Sequence, residues 1–309
     1  MNGAEAAVAI ARFAQTLGMI SAFGALGFRG LVLPRLAQDE VFVAKMAARL
    51  GRLAQASLAL ALLGGLARLG GQAALVGEAG SVAALWAAAA DMVALTRFGQ
   101  FLALQGLALA LALVLSSARG WPATLAALAG VAFALVLAAG SGHGAAVPGW
   151  RGRLLWGVES VHLLAAGVWL GGLVPLSLLL GRLDARAAAA PVARFSALAL
   201  LAATAIAVSA LAQGAALTGS PAALATSPYG RLILMKTLLF LTLVGFGARN
   251  RLLLLPALTG ANGPAALRAL RRGLGWAIVL GLAVLLAASF LGSLAPGQAP
   301  PGGETLAAS

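Results

Sequence analysis

Two ionisable residues sit three positions apart in one of the most apolar stretches of the chain, WGVESVHLLAAGVWLGG, residues 156–172. Glu159 and His162 project from nearly the same face of a helix, and Ala166 and Trp169 extend that stripe. An ionisable side chain in hydrocarbon costs about 3 kcal/mol or more. It therefore faces protein or a water-filled cavity, and chemistry is its default explanation. Imidazole nitrogen is a good ligand for copper and zinc. A neighbouring carboxylate either fixes the tautomer and raises the basicity of the ring, or ligates directly and offsets cation charge. The other histidine, His143, lies in Ser141-Gly142-His143-Gly144, whose glycines let the segment fold back toward Glu159 and His162. A joint metal site of His143, His162 and Glu159 is the expectation. The structural alternative is that His162 bonds Glu159 or a neighbouring helix as packing glue, with His143 an ordinary interfacial residue.

Lys236 is the other charge within an apolar run, seven residues after Tyr229. It reads as an ion-pair partner of Glu159, as a cation snorkelling to the surface, or as a gate competing with a metal for the carboxylate. The ion pair is preferred, because an ammonium in hydrocarbon needs a partner. Thioethers select Cu(I), so Met19 and Met235, with Trp169 and Lys236, are candidates to line a path, as are the span polar residues Gln15, Thr16, Gln55, Gln105, Thr204, Ser209 and Gln213, most of which read equally as interhelical hydrogen-bond partners. Singly, each methionine reads equally as a gap-filling core residue. There are no cysteines, which removes thiolate metal sites and disulfides. No P-loop, nucleophile elbow or HExxH motif occurs, so neither ATP-driven pumping nor enzyme chemistry is expected.

The elements that must position these residues follow from hydropathy. Of 309 residues, 61% are hydrophobic and 9% charged, with a mean hydropathy of +0.99. Soluble domains carry about 25% charged residues, so the chain reads as a single all-α, polytopic membrane domain. Spans of about 20 apolar residues fall at roughly 8–33, 50–69, 98–118, 122–141, 154–180, 192–217, 229–255 and 270–292. Segment 35–49 reads as an amphipathic stretch at one surface, and 71–97 as a loop with a short interfacial helix around Ala83–Ala94. Pro175 should kink the fifth span. Residues 297–309 read as a flexible tail.

The net charge of +13 reflects loop arginines rather than nucleic-acid binding. Fourteen basic residues, from Arg29 and Arg35 to Arg271 and Arg272, flank the connections 1–2, 3–4, 5–6 and 7–8. Six lie on the other side: Arg12, Arg68, Arg97, Arg151, Arg153 and Arg231. The positive-inside rule then puts both termini and the loop 142–153 outside. A faint repeat pairs Thr96-Arg97-Phe98-Gly99 with Thr226-Ser227-Pro228-Tyr229-Gly230 and suggests two parallel four-helix halves, 1–145 and 146–296.

Taken together, Gly142-His143-Gly144, the run Glu159 to Leu173, Arg194-Phe195-Ser196, Tyr229-Gly230 with Lys236, and Asn250-Arg251 resemble the CopD-type copper-resistance family. The likeness is strongest over residues 140–290. It implies an eight-helix inner-membrane protein that handles copper as Cu(I) or Cu(II), moving it inward from the periplasm, with a small periplasmic carrier of the CopC type as partner. The implied copper positions are His143 and His162, with Glu159 beside them. The scarcity of histidine and methionine elsewhere departs from a multi-site path and leaves one external entry site. Two other readings stay open: a b-type haem protein using both histidines, and an assembly factor that delivers copper without transporting it.

Overall fold

Short polar residues start the helices, and the apolar runs behind them supply the spans. The computed structural model describes residues 3–36, 38–77, 81–118, 120–142, 147–217 and 227–292. Helix α1 runs Gly3–Gly27 and is prolonged by a π-helical turn, Phe28–Val32, and a 3-10 turn, Leu33–Arg35. Helix α2 (Glu40–Val76) starts at Asp39, whose carboxylate accepts the Phe42 N–H at 2.7 Å. The short α3 (Val82–Leu95) is capped by Ser81, and α4 (Arg97–Ser117) by Thr96, which accepts the Gly99 N–H at 3.0 Å. Helix α5 (Trp121–Ala139) follows Gly120 at φ 107°, a conformation that disfavours a Cβ. Helices α6 (Gly149–Leu180), α7 (Ala185–Leu217), α8 (Pro228–Arg249, prolonged by turns to Ala257) and α9 (Gly263–Leu291) follow. Ser227 caps α8 through the Gly230 N–H at 2.9 Å, as Thr96 caps α4. Each such cap satisfies a donor that the first helical turn leaves unpaired.

Among the described residues, eight helices are long and apolar enough to cross a membrane: all of those above but α3. This is the expected all-α polytopic bundle, and the short helix at Val82–Leu95 sits where the interfacial one was expected. An even number of crossings brings the chain back to the side it started from, referred to below as the termini end. The spans are unequally enclosed. In α1 and α6, 61% of the most apolar window is buried, against 6% in α8. These two helices form the centre. They touch at Gly24 and Gly171, where a Cβ on either residue would overlap the backbone of the other helix. Small residues permit such approach in lipid. At the opposite end, Arg271 donates to the Leu180 and Leu183 carbonyls at the end of α6, and Arg29 to the Ser116 carbonyl near the end of α4. Both place a cation where exposed carbonyls collect.

Two boundaries differ from the sequence reading. Segment 35–49 is not a separate amphipathic stretch, because from Glu40 it is the first part of α2. Once Asp39 has capped the helix, no proline follows before Val76 to end it. The same continuity carries α2 past residue 69, which moves Arg68 from the rim into the span. Helix α6 continues through Pro175, which is buried. His143 and the tail 297–309 lie outside the described residues.

Candidate metal and ion-pair site

Helix α6 carries a buried face formed by His162, Ala166 and Trp169, each less than a tenth exposed. That is the stripe implied by the spacing 159, 162, 166, 169. Glu159, one turn nearer the termini end, is half-buried. It lies about 15 Å below the first residue of α6, at 1.5 Å per residue.

Helix α7 supplies the partners of the ring. His162 Nδ1 lies 2.9 Å from Ser209 Oγ. That hydroxyl is also within reach of two carbonyls of its own helix, Ala205 at 2.7 Å and Ile206 at 3.0 Å. A hydroxyl has one proton, and the carbonyls, which only accept, claim it. In the tautomer that satisfies all these contacts at once, Nδ1 carries the hydrogen and donates to Ser209, with the Ile206 carbonyl as a further acceptor near the ring. The neutral imidazole then keeps its lone pair on Nε2, the atom through which it would bind a metal. An N–H anchored in this way is the usual outer support of a metal-binding histidine. One helical turn further along α7, the Gln213 amide lies near the Glu159 carboxylate.

Helix α8 supplies the charge. Lys236 is half-buried and lies within electrostatic reach of both Glu159 and His162. One turn on, the Phe240 ring meets Trp169 edge to face, with centroids 5.9 Å apart. Glu159 and Lys236 thus carry opposite charges within electrostatic range of each other, one helical turn along α6 from His162. Among the described residues, no three His, Cys, Asp or Glu side chains converge on one point. The pair offers two donor groups, and a metal held there needs a third from elsewhere.

The structure brings Lys236 within electrostatic range of Glu159 and His162, sets Trp169 against Phe240 further along α6, and leaves the two methionines apart. Met19 is 1% exposed in the packed core of α1, whereas Met235 is 46% exposed on the outside of α8. Sequence reasoning treated Ser209 and Gln213 only as two of several span polar residues. Their i, i+4 spacing on α7 was the available signal that they face one partner. It missed Arg68 as an interior group. Arg68 is 4% exposed and bonds Gln15 and Ser141.

Comparison with known proteins places the chain in context. Residues 3–153 match the family described as copper resistance protein D-like, N-terminal domain, and residues 189–291 match copper resistance protein D. The chain is also 31% identical over 166 residues to inner membrane protein YebZ of Escherichia coli (strain K12). That alignment covers 52% of this chain and 56% of the relative, so the chain spans little more than half the length of that protein. No solved structure matches.

Proposed function

Because the chain belongs to the copper resistance protein D family, we propose that it is an inner-membrane, non-enzymatic protein that accepts copper at Glu159 and His162. The observation that carries this reading is the contact between His162 Nδ1 and the Ser209 hydroxyl at 2.9 Å, which occupies one ring nitrogen and leaves Nε2 for a metal, with Glu159 one helical turn away on α6. The name of the Escherichia coli relative supports the inner membrane as location. The arginine asymmetry supports a periplasmic termini end. In that orientation copper arrives from outside, from a CopC-type carrier. Imidazole and carboxylate bind it, and His143, expected from the sequence to lie on the same side, is the third ligand of this reading. Lys236 holds the carboxylate when no metal is present and gives it up when the cation arrives. An inside-negative potential is worth about 2.3 kcal/mol per charge per 100 mV and favours inward movement.

Copper titration of the purified protein in nanodiscs tests the site. The native chain is expected to bind copper stoichiometrically without a Soret band, and His162→Ala to lose high-affinity binding. Unchanged affinity in His162→Ala would remove the residue from the site, and a Soret band would replace copper handling with haem ligation. Copper uptake by proteoliposomes containing this chain alone separates transport from delivery.

A further inference from the structure

A second buried polar layer lies in the first half of the chain, away from α6–α8. Arg68 on α2 is 4% exposed. Its Nη1 donates to Gln15 Oε1 of α1 at 3.2 Å, and its Nη2 reaches Ser141 Oγ at 3.5 Å. Its guanidinium carbon stands 4.9 Å from the centroid of the Phe98 ring. Gln15 in turn donates through Nε2 to Gln105 Oε1 of α4 at 2.9 Å. The direction of this relay is fixed. Arg68 can only donate, so Gln15 must present its oxygen to Arg68 and its nitrogen to Gln105. Gln105 must then present its own oxygen to Gln15, and its Nε2 is left facing the interior.

That terminal amide has no partner, although Gln105 is 0% exposed, and Arg68 Nε is equally buried and unpartnered. Both orphans are donors. Both guanidinium contacts of Arg68 are to neutral oxygens, and among the described residues no carboxylate pairs with it. Arg12 of α1 adds a second positive charge within electrostatic range. What the layer lacks is negative charge and hydrogen-bond acceptors. An unpaired cation inside a span is costly, and a buried donor left unmade costs its full desolvation. Space is limited, since a Cβ added at Gly65 would stand 3.0 Å from Gln15 Nε2. A monatomic ion fits such packing better than a headgroup phosphate.

We propose that the Arg68–Gln15–Gln105 layer is a binding site for a small inorganic anion, of the halide class, about 12 Å below the termini end of α2 and α4. It is independent of the copper reading, because none of its residues belongs to α6–α8.

The test is thermal unfolding of the full chain in nanodiscs of zwitterionic lipid, titrated with sodium chloride against sodium gluconate at constant ionic strength. Chloride is expected to raise the melting temperature saturably, and gluconate to leave it unchanged. Gln105→Leu removes one orphan donor at similar volume. It also removes the Oε1 that accepts from Gln15 Nε2, so it should melt lower than the native chain in gluconate, and the chloride-dependent shift above that baseline should show half-saturation weakened by about tenfold, the usual weight of a hydrogen bond to a charged group. Arg68→Gln should abolish the chloride effect. Line broadening of the chloride NMR signal by native protein, absent with Gln105→Leu, reads the same site without relying on stability. Identical melting in both salts, or a chloride effect undiminished in Gln105→Leu, overturns the proposal and leaves the donors to water. Inorganic phosphate acting as strongly as chloride overturns the halide assignment. Copper affinity should be unaffected by Gln105→Leu.

Discussion

Two ionised layers lie inside this bundle at similar depth, and they are built from opposite materials. The α1/α2/α4 layer has arginine, glutamines and a serine, with positive charge, surplus donors and, among the described residues, no carboxylate paired with Arg68. The α6/α7/α8 layer has Glu159, Lys236 and His162, so its charges offset within the chain and its unused atom, Nε2, is an acceptor. A layer with spare donors suits an anion, and a layer with a spare lone pair beside a carboxylate suits a metal cation. The residues that decide this are few, and none is legible from net charge: the chain's excess of +13 lies mostly at the opposite rim. The Gly24–Gly171 seam, where α1 meets α6, joins the two layers.

The largest effect should come from breaking that seam. Gly171→Leu pushes a side chain into the Ile20 carbonyl of α1. Overpacking of a tight core costs about 1–3 kcal/mol or more, and here the atom in the way is backbone, which yields least. Monodisperse protein after detergent extraction should fall severely, and both the copper and the chloride responses should disappear together. Retention of either response in folded Gly171→Leu protein would show that the layers do not depend on a shared seam.

Next in size is a double dissociation. His162→Ala should remove copper binding and leave chloride stabilisation intact, while Gln105→Leu should do the reverse. Calorimetric titration of both variants with copper and with chloride checks this, and cross-effects in either direction would merge the two layers into one site. Lys236→Met should act less strongly and in the opposite sense. Without the ammonium, the carboxylate meets a metal with no internal competitor, so copper affinity should rise by about tenfold. The scale is that of one charge interaction at the effective dielectric of a partly buried site. The metal-free protein should melt lower, because the half-buried Glu159 then lacks its countercharge. Weaker copper binding in Lys236→Met would identify Lys236 as a support of the site rather than its competitor.

The contrast between the layers also shows what the sequence could disclose. Eight apolar runs predicted eight spans, because hydrocarbon admits few alternatives to a helix. Glu159 and His162 stood out for the same reason. Arg68 carried as much information and went unread, since hydropathy ends the second span at about residue 69 and turns a buried cation into a rim charge. Only the continuation of α2 to Val76 shows it as interior. The partner choices, Ser209 for His162 and Gln15 for Arg68, depend on how helices distant in sequence rotate against each other, and no local pattern records that rotation. His143 stays an expectation of the sequence, outside the described residues.

The smallest predicted effect examines the atom on which the cation layer turns. Ser209→Ala deletes the oxygen that accepts the Nδ1 hydrogen and leaves every ligand atom in place. Outer-shell partners of metal-binding histidines are typically worth 10–100-fold in affinity. Here the lower end, about tenfold, is expected, because the Ile206 carbonyl stays near the ring as a substitute acceptor. Ser209→Thr keeps the hydroxyl and should restore near-native copper affinity, which a purely packing role for Ser209 would not predict. The same substitution acts on one ring nitrogen and adds no charge, so it should weaken Cu(I) and Cu(II) alike. Glu159→Gln, which removes charge, should weaken Cu(II) more than Cu(I). A Ser209→Ala variant that binds copper as tightly as the native chain would mean that the tautomer is not preset, and the cation layer would then reduce to an ion pair beside a packed histidine.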